Sequence, residues 1–139
     1  MFLIFVALAH ITAVVKNSLT LQLSDKFRNL AKKQADQIFD IFREGIGTDV
    51  ELVCMRMQQS LSIYIGCQSQ KSVHHLDNAY ESGKLLAVLR ECSSSVVRDS
   101  DIESIHWDVG DFNRCVQYFR NLSGKIRWLF VYVVKHKYL

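Results

Sequence analysis

The chain has 139 residues, 49% of them apolar and 22% charged, which suits one globular domain with a real core and argues against disorder. Its net charge of +3 is concentrated at one end: residues 125–139 carry Lys125, Arg127, Lys135 and Lys137 and no acid, leaving the body slightly acidic. Binding through phosphate contacts needs a basic face over the body, so nucleic acid is not an expected partner.

Residues 2–15, FLIFVALAHITAVV, form an uncharged apolar run, shorter than the ~20 residues of a membrane-spanning helix. Segment 1–16 has two readings. The β-branched Ile11, Thr12, Val14 and Val15 favour a first strand. A targeting segment with Ala7 and Ala9 at its cleavage site is the alternative, which would make the chain a small membrane-associated or secreted protein, although no positive charge precedes the run.

Ser24 and Asp25 offer helix-capping oxygens. Phe27, Leu30, Ala31, Ala35, Ile38, Phe39 and Phe42 follow at spacings of three and four, with Lys32, Lys33, Asp36 and Arg43 mostly on the other side. This predicts an amphipathic helix over 24–44, ended by Gly45 and Gly47.

Two strand patterns come next, 50–57 and 60–67, joined at Gln58-Gln59. In the second, Leu61, Ile63, Ile65 and Cys67 alternate with Ser62, Tyr64 and Gly66, the period-2 signature of one buried face. A hairpin in regular register adds Val50, Leu52 and Cys54 to that buried face. It places Val53, Met55, Met57 and Tyr64 on the opposite one.

Val73, Leu76, Ala79, Tyr80, Leu85, Leu86 and Leu89 predict a second helix over about 72–92, irregular at Gly83 and ended by Ser93-Ser94-Ser95. Residues 102–109 read as a strand with Ile105, Trp107 and Val109 on one side. Gly110 then turns the chain, and Asp111 is expected to cap a helix reaching Leu122 through the stripe Phe112, Cys115, Val116 and Phe119. Residues 124–139, basic and then apolar from Trp128 to Val134, read as a last strand or a tail. Residues 17–123 thus form one domain. The order β-α-β-β-α-β, followed by a helix, predicts an α+β fold: a ferredoxin-like βαββαβ sandwich with an antiparallel sheet and its helices on one face.

No catalytic constellation is legible. The four cysteines, Cys54, Cys67, Cys92 and Cys115, are widely spaced inside apolar patterns, with none of the local pairing that zinc sites use, and read as buried free thiols. His74-His75-x-Asp77 is the only local titratable cluster, and adjacent helical residues point about 100° apart, so the two imidazoles do not converge. His106 is expected to be exposed, opposite Trp107 in its strand. No nucleophile triad order, glycine-rich phosphate loop or HExxH run is present. RNA stacking on a sheet face would rest on Tyr64 alone. The expectation is a non-enzymatic domain with no metal and no cofactor.

The stretch Asp49-Val-Glu-Leu-Val-Cys-Met-Arg-Met57 with Leu61-Ser-Ile-Tyr-Ile65, followed by Ala79-Tyr-Glu-Ser-Gly83 and a leucine-rich helix, resembles the N-terminal domain of the TRADD-type adaptors of tumour-necrosis-factor receptor signalling. Phe112-Asn-Arg-Cys-Val-Gln-Tyr-Phe119 is similar to the helix that follows in that domain, and the likeness spans about residues 25–122. The resemblance implies a cytoplasmic α/β sandwich that recruits a protein partner, a TRAF C-terminal domain, through its sheet surface and nearby edge. No membrane contact is expected. Carried over by position, the contact residues are Val53, Met55, Met57 and Tyr64. Two features depart from the family: no death domain follows within the 139 residues, and the N-terminal run lacks the tyrosine-bearing first strand.

Overall fold

Alternation of large aliphatics with small or polar residues makes 61–67 a strand, and the sheet is assembled around it. The computed structural model of the chain describes residues 6–15, 30–57, 60–95 and 102–122. Among these are the strands β1 (Ala7–Val15), β2 (Val50–Met57), β3 (Leu61–Cys67) and β4 (Ile102–Trp107). They form one antiparallel sheet in the order β2-β3-β1-β4. Four helices accompany them: α1 (Lys32–Ile46), α2 (Gln70–Glu81), α3 (Lys84–Ser94) and α4 (109–122). The predicted caps Ser24 and Asp25, the Gln58-Gln59 turn and the segment 124–139 lie outside the described residues.

The helices pack on one side of the sheet and share a single core with it. On that side β1 presents Ala7, Ala9, Ile11, Ala13 and Val15, and β3 presents Leu61, Ile63, Ile65 and Cys67, all buried. Ile38 and Phe42 of α1, Val73 and Leu76 of α2, Leu85 and Leu89 of α3, and Cys115 of α4 close the core over them. The apolar N-terminal run therefore supplies the strand flanked by β3 and β4. Cleavage at Ala9, which the targeting alternative requires, would cut that strand in its first half.

The predicted helix 24–44 is helical from Lys32, with Leu30 and Ala31 preceding it, and it continues through Gly45 to Ile46. Gly45 lies inside the helix where α1 and α3 approach closely: a Cβ there would lie 2.5 Å from Val88 Cγ2. Gly47, at φ +136°, ends the helix, and its N–H donates to the Arg43 carbonyl at 3.0 Å.

The single helix expected over 72–92 is two helices. Gly83 takes φ +84°, a left-handed backbone that breaks the helix in open space, so conformation rather than packing calls for glycine. Ser69 caps α2 by accepting the Ser72 N–H at 3.1 Å. At the far end, β4 stops at Trp107 rather than 109, and α4 begins at 109. Val109 is 70% exposed and not on the buried side with Trp107. Asp108 takes the expected capping place of Asp111, accepting the Gly110 N–H at 3.3 Å. The element order is therefore β-α-β-β-α-α-β-α, with one helix more than the βαββαβ-plus-helix reading.

Candidate functional site on the open face of the sheet

The side of the sheet away from the helices is read in rows across the strands. Glu51, Gly66 and Leu8 make one row, Cys54, Tyr64 and His10 the next, and Arg56, Ser62, Thr12 and His106 a third, followed by Val14 beside Ser104. Val6 and Val53 close over Gly66, where an added Cβ would sit 2.8 Å from Val6 Cγ1 and 3.5 Å from Val53 Cγ2. Glycine is what leaves room for both valines over this position. The face thus grades from aliphatic at Val6, Leu8 and Val53 to polar at Thr12 and His106. Val6, Leu8, Val14 and Val53 are 39%, 41%, 52% and 46% exposed, unusual for large aliphatics on a sheet.

Tyr64 sits in the middle of this face as predicted, half-buried, with its ring stacked on His10 at 4.6 Å and 9°. His10 Nε2 is buried without a hydrogen-bond partner among the described residues. Val53 also faces outward. Met55 and Met57 do not.

β2 carries a bulge between Leu52 and Cys54, so that Val53 and Cys54 together oppose Tyr64. From that point the alternation is shifted by one residue. Met55 lies opposite Ile63 and Met57 opposite Leu61, on the helix side, half-buried against the core. Cys54, expected to be buried, is half-exposed on the open face opposite Tyr64. One signal for the bulge is present in the sequence: Glu51 and Arg56 are an odd number of residues apart, and two charges of one strand reach the same solvent face at odd spacing only if the register slips between them. The face's β1 residues were hidden by a run apolar at nearly every position. Their one trace is that His10 and Thr12, the polar members, are both even-numbered.

A side-chain device holds the first half of β1 in place. β4 pairs with Ile11–Val15 only, which leaves the Leu8 carbonyl and the His10 amide unpaired on that edge. Two side chains of α4 serve in place of a strand. Asp111 Oδ2 accepts the His10 N–H at 2.8 Å and the Trp107 Nε1–H at 2.9 Å. Its Oδ1 accepts two N–H bonds from Arg114, which in turn donates to the Leu8 carbonyl. Burial pushes the Asp111 carboxyl up, but the His10 amide, the Trp107 indole and the Arg114 guanidinium outweigh it and hold the carboxyl below its ordinary value.

Other polar groups have structural partners. His75 Nδ1 lies 2.8 and 2.9 Å from the two Asp49 oxygens, tying α2 to the loop after α1. His74 meets Phe112 edge-on at 5.7 Å, and His106 is exposed as predicted. Burial pushes the Cys67 and Cys92 thiols up to about 12 and raises that of Cys115 as well, which favours their protonated form. Among the described residues no three His, Cys, Asp or Glu side chains converge to hold a metal, and no helix is long and apolar enough to cross a membrane.

No protein-family model matches the chain, and no curated protein matches it.

Proposed function

We propose that the chain is a non-enzymatic protein-interaction module of the TRADD-N-like adaptor kind. It acts in the cytoplasm in tumour-necrosis-factor-receptor or innate-immune signalling, with the open sheet face as its contact surface. Four exposed aliphatics on that face, Val6, Leu8, Val14 and Val53, carry the reading, because they contribute nothing to the core and cost solubility unless a partner covers them. The ferredoxin-like class draws support from the strand order β2-β3-β1-β4, with the second crossover elaborated into two helices and a further helix after β4. The partner is a TRAF C-terminal domain, and its contacts are Val53 and Tyr64 of the original candidates together with Leu8 and Val14. Met55 and Met57, turned to the helix side against the core, drop out of that face.

The test is capture by purified TRAF C-terminal domains, comparing wild type with Leu8→Glu and Val53→Glu proteins whose circular dichroism is unchanged. Capture by wild type and loss in both variants supports the reading. Folded wild type that binds no TRAF C-terminal domain removes this partner.

A further inference from the structure

We infer that β2 is a self-recognition edge, built to pair antiparallel with β2 of a second copy about a twofold axis between Val53 and Cys54. β2 ends the sheet, and among the described residues no strand pairs with its outer side. Such an edge is a template for another strand, and the question is which one its side chains fit.

A regular strand cannot pair with its own copy in this register. Opposed residues of an antiparallel pair share a face, and a twofold axis normal to the sheet preserves faces. Opposing neighbours such as residues 53 and 54 would then have to share a face, which strict alternation forbids. The bulge lifts this restriction. Val53 and Cys54 both point to the open face, and counting outward from them in either direction the sides alternate: Leu52 and Met55 toward the helices, Glu51 and Arg56 open, Val50 and Met57 toward the helices. The strand's faces are thus symmetric about its own midpoint.

Its chemistry is self-complementary about the same point. Glu51 falls opposite the partner's Arg56, and Arg56 opposite the partner's Glu51, both exposed and of opposite sign. Leu52 meets the partner's Met55, and Val50 meets the partner's Met57, apolar against apolar. An edge that only guards against aggregation does so with a bulge or with charges that repel a copy. Here both charges attract in this register. An apolar groove of about 190 Å³ runs along the edge between Phe39, Leu30, Leu52 and Met55, and pairing covers it with the same residues of the second copy. The two sheets join into one, with the helices of both copies on one side and both open faces on the other.

Sedimentation velocity of the purified full chain at roughly 1–500 µM, the range in which a small interface associates, gives the test. Wild type dimerises with rising concentration. Glu51→Arg and Arg56→Glu each weaken the dimer at least about tenfold, since each places like charges opposite one another twice. Two recoveries separate pairing from a mere charge effect. The double variant Glu51→Arg/Arg56→Glu dimerises again, and the two single variants mixed together form a 1:1 heterodimer. Both substituted positions are exposed, so circular dichroism should show wild-type folds. A wild type that stays monomeric to the top of the range, or a dimer that ignores both reversals, or reversals without either recovery, overturns the inference.

Discussion

On the helix side of the sheet β1 presents Ala7, Ala9, Ile11, Ala13 and Val15, each buried, whereas its other side presents Leu8, His10, Thr12 and Val14, none of them buried. The same nine-residue strand thus uses mostly small residues where it must fit under helices and larger, partly exposed ones on the other side. Close packing explains the first choice, since three alanines let the helices approach the middle of the sheet. Among the described residues the second choice has no helix packed on it. Leu8 and Val14 of β1, with Val6 before it and Val53 on β2, form the exposed aliphatic patch on which the proposed contact surface rests. The contrast separates residues that pack the core from residues that leave it untouched, and substitutions on the two sides should divide accordingly.

The largest effect belongs to the covered side. Leu85, fully buried in α3, should cost about 2–4 kcal/mol when cut to alanine, read as a shifted midpoint in denaturant melts. A shift below about 0.5 kcal/mol, the size of an ordinary surface change, would mean this helix face is not core. Gly45→Ala should destabilise by about 1–3 kcal/mol, because its Cβ would arrive 2.5 Å from Val88 Cγ2 and force α1 away from α3. A neutral Gly45→Ala would show that this contact yields easily.

Asp111 belongs to neither side but holds the edge between them. Asp111→Asn should cost about 1–2 kcal/mol by weakening its bonds to the His10 amide and the Arg114 guanidinium. The carboxyl is held below its ordinary value in the fold, so its contribution is complete at neutral pH. It fades as the pH falls below about 4, the ordinary carboxyl value, and through the lower folded one. Melts from pH 7 down to pH 3 should therefore fall less steeply in Asp111→Asn than in wild type. Equal slopes would contradict the assignment. The smallest effect is on the open side: Leu8→Ser should change stability by no more than about 0.5 kcal/mol. A loss of core size there would mean that the face is covered and the contrast between the two sides false.

Much of this arrangement could be read from residue patterns alone. The alternation of 61–67 and the stripe Ile38, Phe39 and Phe42 emerged because burial on one side leaves a regular period. Gly83 announced its break because only glycine takes its backbone angle without strain. What escaped was nonlocal or out of phase. The bulge in β2 turned Met55 and Met57 toward the helices and Cys54 outward, reversing three side assignments with one inserted residue. The early end of β4 escaped because Asp111 and Arg114 stand in for a strand some hundred residues from their partners on β1, a pairing that no local pattern encodes. Of the four carried-over contacts, Val53 and Tyr64 remain on the open face. The β1 residues beside them were missed because their strand is apolar on both sides.

The claim that the open face is the contact surface is tested most directly by methyl NMR of the full chain as a TRAF C-terminal domain is added. The account predicts shifts or broadening at the methyls of Val6, Leu8, Val14 and Val53, while the exposed Val109 methyls at the start of α4 stay in place. Changes centred on Val109, or none on the open face at saturating partner, would contradict it.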